Sequence, residues 1–124
     1  MKSGSAKAKG RRLQNFVVEQ IYKTFPELEE GDVKPAIMGE SGIDVKLSPA
    51  ARRIFPFGVE CKNQEKLSIW KELNQTTTNA KTEKLKPALI FKRNRTDPWV
   101  AIPLGLFLKM ARAYVKINRK RSRS

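Results

Sequence analysis

Apolar residues recur at helical spacing between Arg11 and Phe25, where Leu13, Phe16, Val17, Ile21 and Phe25 share one side and Pro26 ends the run. The pattern predicts a first helix there. After the acidic turn ELEEGD, the segments VKPAIM (33–38) and IDVKLS (43–48) read as two short strands joined by the glycine-bearing turn GESG. Ser48 followed by Pro49 is an N-cap with a first-turn proline, which predicts one or two helical turns over PAARRIF. FGVECK (57–62) is the third strand. A further helix runs from Leu67 or Ser68 to Ala80, with Ile69, Trp70, Leu73 and Ala80 as its inner face, although the run Thr76-Thr77-Thr78 lowers its propensity. PALIFKR (87–93) and WVAIP (99–103) complete the strands around the polar turn RNRTDP, and LGLFLKMARAYVKI is a last helix that is apolar on more than one side. This order predicts an α/β fold in which helices cover a roughly five-stranded mixed sheet.

Composition narrows the chemistry. A chain of 124 residues carries one core, and no apolar run approaches the roughly 18 residues of a membrane span. The basic start MKSGSAKAKGRR leads into no apolar stretch, so no secretory leader is expected. With one cysteine and no histidine, the chain excludes an internal disulfide, histidine triads and the usual Cys/His zinc sites. An enzyme made from it works with carboxylates, lysine, hydroxyls or a hard metal ion. The net charge of +14 is concentrated at the ends, with Lys2, Lys7, Lys9, Arg11 and Arg12 at one and seven Lys/Arg from Lys109 to Arg123 at the other. We therefore expect a basic flexible arm (1–10), a single domain (11–115) and a basic tail (116–124), with nucleic acid as the polyanion the tails meet. Tails that serve only solubility, or that touch an anionic membrane, are the plainer alternative.

The third strand carries the candidate chemistry. Side chains alternate along a strand, so Glu60 and Lys62 share a face with their Cα atoms about 7 Å apart, while Val59 and Cys61 point the other way. Cys61 is then a small core residue. An isolated Glu-x-Lys is usually a solvated ion pair, but Asp44 lies on a strand that can pair beside this one. If it does, Asp44 and Glu60 converge on one divalent cation with Lys62 a pleat away. Two carboxylates and a backbone carbonyl, that of Cys61, supply the hard oxygen donors that Mg2+ or Mn2+ accepts and leave room for waters and a phosphate oxygen. Such a site hydrolyses phosphodiesters without histidine.

Asp44, fifteen intervening residues and then Glu60-Cys61-Lys62, with a helix before and after, resembles the PD-(D/E)XK nuclease superfamily. Within it the chain is similar to Holliday junction resolvases of the archaeal and phage type, in its size, in Lys9-Gly10 ahead of the first helix, in GESGID before the Asp and in the strand ending Glu-x-Lys. The likeness covers residues 9 to 103. It implies a restriction-endonuclease-like αβββαβ core, Mg2+-dependent cutting of four-way DNA junctions and no small-molecule substrate, in the nucleoid or, for a viral protein, the host cytoplasm. It further implies a role near the metal for Gln14, where the archaeal enzymes carry glutamate, and a place near the scissile phosphate for Ser41, which is equally an ordinary turn residue. The family's proline before the Asp is replaced by Ile43.

A second register, Asp44-Val45-Lys46 with Asp32 upstream, fits the motif but places its first acid in a turn, so the Glu60 register is preferred. Lys9, Arg11, Arg12, Arg52, Arg53, Lys92, Arg93 and Arg95 are candidate DNA contacts, each also explained as a solvated surface charge. Paired nicks in a nearly two-fold junction suit a homodimer, with the last helix either its interface or packed on its own sheet. Other DNA nucleases of the superfamily, of repair or restriction type, and a non-catalytic nucleic-acid binder remain alternatives.

Overall fold

The computed structural model describes residues 5–123; Lys2 and the rest of residues 1–4, with Ser124, lie outside them. Helix α1 spans Ala6–Thr24, beginning five residues before the apolar pattern does. Ser5 caps it by accepting the Ala8 N–H at 3.2 Å, and Ala6 and Ala8 are strong helix formers that carry no periodic signal. Strand β1 (Val33–Pro35) pairs antiparallel with β2 (Val45–Leu47), Val33 facing Leu47. Both are shorter than expected because Gly39 and Gly42 take φ values of 85° and 95°, which turn the connecting segment out of the ladder. Tyr22 pins the hairpin to α1, its hydroxyl accepting the Val33 N–H at 2.9 Å and donating to the Val33 carbonyl at 3.0 Å.

After the short helix α2 (Pro49–Ile54), capped by Ser48 as expected, the chain enters β3 (Phe57–Asn63). Helix α3 (Ile69–Thr82) returns it to β4 (Lys86–Lys92), parallel to β3, and β5 (Trp99–Ala101) pairs antiparallel with β4. Five strands therefore form in the expected α/β order, but as a two-stranded hairpin and a three-stranded mixed sheet. The two meet where the Asp44 N–H donates to the Val59 carbonyl at 2.8 Å.

The three-stranded sheet is covered on both faces. On one, Leu13, Val17 and Ile21 of α1 pack with Val59, Cys61 and Ala88. On the other, α3 lies over Gly58, Glu60 and Leu89, with Thr76 and Ala80 fully buried. Trp70, expected on the inner face of α3, is instead 81% exposed. The buried stripe is Glu72, Thr76 and Ala80, from which Trp70 is turned away at roughly 100° per residue. The last helix, α4 (Leu104–Arg123), runs six residues past its expected end, and Leu104, Phe107, Leu108, Tyr114 and Ile117 along it are exposed. Among the described residues, no helix is long and apolar enough to cross a membrane.

Gly58 sets how closely α3 approaches. A Cβ there would lie 2.7 Å from Ala80 Cβ and 2.9 Å from Ala80 Cα, so the helix backbone itself would have to move. We predict that Gly58→Ala lowers unfolding stability by about 1–3 kcal/mol, the usual range for overpacking, as read from urea denaturation. A variant as stable as the parent would show that α3 is not held at this distance.

Candidate active site

The site forms where the hairpin touches the edge of β3. Along a strand, the N–H and C=O of one residue point to the same side, and those of its neighbours to the other. Val59 accepts the Asp44 N–H, and the Cys61 N–H donates to Asp44 Oδ2 at 2.7 Å, so both residues turn their backbone groups towards Asp44. The Cys61 carbonyl faces that same edge. Its thiol points into the core on the α1 side, where burial and the nearby carboxylates push its pKa upward and keep it protonated.

Glu60 projects from the opposite face and is almost fully buried beneath α3, which the alternation of β3 could not reveal. Its carboxyl meets Asp44 in a side-chain hydrogen bond, and Asn79 Nδ2 donates to Glu60 Oε1. Burial first, and the Asp44 charge second, push the Glu60 pKa up to about 8, against the opposing influence of Asn79 and Lys62. Both causes favour the protonated form of Glu60 over its ordinary ionised form. Lys62, two residues along the same face, places its Nζ 3.3 Å from Glu72 Oε2 of α3.

Asp44, Cys61 and Lys62 line a cleft of about 450 Å3 whose far wall is Lys7, Gly10, Arg11 and Gln14 of α1 and whose rim is the hairpin loop from Ala36 to Glu40. Gln14 thus comes to the cleft with Asp44. Ser41 is exposed beside the rim, and its carbonyl accepts from Lys46 Nζ at 3.3 Å. Lys9 is half-buried on α1, and Arg12 lies with Asn63 and Lys92 in a neighbouring groove. Lys92 and Arg93 also border a cleft with Gln64 and Trp99, while Arg95 is exposed in the following turn with φ 63°. Arg53 is exposed; Arg52 is engaged with α3, donating to the Glu83 carbonyl at 2.8 Å and pairing with its carboxylate. Asp32, the first acid of the rival register, accepts Ser48 Oγ and the Glu29 N–H, each at 2.7 Å, and Lys46 pairs with Glu40 at 3.5 Å. Asp32 thus serves a turn, and Lys46 is engaged by Glu40 at the rim of the cleft.

Among the described residues, no group of three or more His, Cys, Asp or Glu side chains is placed to hold a metal. Asp44 and Cys61 line the cleft, with the buried Glu60 carboxyl against Asp44 beneath α3, so the candidate oxygen donors are two carboxyls and a backbone carbonyl. This set fits a Mg2+-like ion, which is commonly held by one or two carboxylates and keeps waters and substrate oxygens as its remaining ligands. A cation arriving there would replace the proton that now reconciles the two carboxyls.

A family model described as "Phage putative PDDEXK endonuclease" matches residues 31–123. The chain belongs to this family. No curated protein and no solved structure gives a significant match. The matched part of this PDDEXK chain contains Asp44, Glu60 and Lys62, together with Glu72 and Asn79, but not α1 with Gln14 and Arg11. Apolar periodicity along α3 carries no trace of Glu72 or Asn79, since both are polar. The usable signal was their i, i+7 spacing, which puts two polar side chains on the sheet-facing side of α3.

The raised Glu60 pKa fixes a pH dependence. Between its ordinary value of 4.5 and about 8, the native state holds a proton that the unfolded chain has released, so stability falls as pH rises through this window and levels above it. In metal-free solution we predict a loss on the order of 3 kcal/mol from pH 5 to pH 8. Urea denaturation at each pH would show it, and Glu60→Gln should remove most of the slope. An identical slope in that variant would place the titrating group elsewhere.

Proposed function

We propose that the protein is a Mg2+-dependent, structure-selective endodeoxyribonuclease, a Holliday junction resolvase acting as a homodimer. One observation carries the nuclease chemistry: Asp44 and Glu60 are in side-chain contact at the edge of β3, with Lys62 beside them in a cleft walled by basic α1. Asp44, Glu60 and the Cys61 carbonyl would hold Mg2+ or Mn2+, which when bound lowers the pKa of a water and offsets charge on the phosphate. The chain's own groups do the rest. Lys62 presents an ammonium to the attacking water and to charge developing at phosphorus, in a partly dehydrated setting where such charge is most effective. Gln14, across the cleft, offers a neutral amide to water or phosphate. Lys7 and Arg11 draw the backbone in, Ser41 stands at the entrance, and Lys9, Arg12, Arg53, Lys92, Arg93 and Arg95 extend the positive surface.

Selection of a junction is supported by the resemblance around Lys9-Gly10 and GESGID and by the placement of charge towards shape and phosphates rather than bases. The dimer is supported by α4, whose exposed apolar residues make a face that its own sheet leaves uncovered. A second reading, a PD-(D/E)XK nuclease that nicks other DNA, is favoured by the family description, which names an endonuclease and no junction.

The test compares a labelled four-way junction with a linear duplex of the same sequence in Mg2+. Paired, symmetric nicks confined to the junction are expected, with Asp44→Asn and Glu60→Ala each lowering the rate roughly 10²–10³-fold or more. Both variants should still bind, with affinity falling as salt rises by a log–log slope of about −0.9 per phosphate contacted. Duplex cutting would favour the second reading, and a junction-binding protein that cleaves nothing with metal would remove the enzyme altogether.

A further inference from the structure

The strand supplies the reacting groups of the cleft, but both of its charged side chains lean on one face of α3. Glu72 is 7% exposed and meets Lys62 Nζ at 3.3 Å. Asn79, seven residues on, donates one amide nitrogen to Glu60 Oε1 and, at 3.5 Å, to the Gly42 carbonyl of the hairpin loop. Thr76 lies between them, fully buried, and turns its hydroxyl back on the Glu72 carbonyl at 2.7 Å, so it takes nothing from either contact.

A carboxylate buried on a helix for stability alone is a poor investment, since desolvating an ion pair generally costs as much as the attraction returns. Glu72 is buried against Lys62, the β3 lysine that lines the cleft. A lysine stem has four rotatable bonds and a mobile head; with its ammonium pinned from behind and its side chain still 28% exposed, Lys62 keeps one direction open, towards the cleft. Asn79 does the same for Glu60, which would otherwise turn an undonated oxygen into an apolar interface, and through Gly42 it ties that carboxyl to the loop bearing Ser41 and Asp44.

We propose that Glu72 and Asn79 are the positioning residues of the site: Glu72 aims the Lys62 ammonium, and Asn79 aims the Glu60 carboxyl. The inference rests on the nuclease reading of the cleft. Hydrogen-bonding partners of this kind, one step behind reacting groups, typically change activity or metal affinity 10–100-fold when removed.

The test uses Glu72→Gln, which keeps shape and loses charge, and Asn79→Ala, in the full chain. It reads kcat and KM on whichever DNA the wild type cuts, Mg2+ affinity by calorimetry, and the nitrogen-15 NMR signal of the Lys62 ammonium, assigned with Lys62→Arg. Glu72→Gln should lower kcat roughly 10–100-fold with KM and Mg2+ affinity little changed, and the Lys62 signal should vanish into solvent exchange. Asn79→Ala should weaken Mg2+ binding roughly tenfold with the Lys62 signal intact. Retention of wild-type kcat and of the ammonium signal in Glu72→Gln would overturn the proposal, as would unchanged Mg2+ affinity in Asn79→Ala. A kcat that falls only in step with the melting temperature, with the signal kept, would also overturn it. Should the wild type cut no DNA, the functional reading fails by itself, while the ammonium signal and the Mg2+ titration still decide the roles of Glu72 and Asn79.

Discussion

Asp44 holds the structure together at the point where its two sheets meet. Its N–H donates to the Val59 carbonyl and its carboxyl accepts the Cys61 N–H, so one residue replaces a length of missing ladder between the hairpin and β3. The same bonds bring its carboxyl against Glu60. Two carboxyls in contact on a dehydrated strand edge cannot both carry charge cheaply, and the conflict is met here by a proton on Glu60.

The second constraint is the close approach of α3. Gly58 against Ala80 brings the helix axis near enough to bury Glu60, and burial is the larger cause of its raised pKa. Without that approach the Glu-x-Lys pair would be an ordinary surface pair, worth little in stability or in chemistry. On the proposed reading helix and strand divide the work: β3 and the hairpin carry Asp44, Glu60 and Lys62, and α3 buries Glu60 and contacts the pair through Glu72 and Asn79. On the opposite face, the apolar side of α1 closes the core while its basic side walls the cleft.

The order of elements, the N-cap at Ser48 and the alternation of β3 were legible in the sequence, because each follows from local periodicity or a local signal; that Asp44 sits beside the Glu60 strand was only a condition there, and it is met through single hydrogen bonds from Asp44 rather than by a paired strand. What was not legible depends on tertiary contact. Nothing in FGVECK tells which helix covers Glu60, so its burial could not be foreseen. Trp70 is apolar and so expected inward, but the side of α3 that turns in carries Glu72, Thr76 and Ala80, with the half-buried Asn79 beside them reaching Glu60. The apolar residues of α4 gave a correct helix and no information on what they pack against, since a pattern shows that a face is apolar and not where its partner lies.

The proposed metal site requires the proton favoured on Glu60 beside Asp44 to be exchanged for a cation. Titration calorimetry of Mg2+ binding at pH 7, repeated in buffers of different ionisation enthalpy, counts the protons released. The account predicts close to one proton per ion, diminishing above the Glu60 pKa of about 8 and lost in Glu60→Gln. Mg2+ binding with no proton released at pH 7 would contradict it.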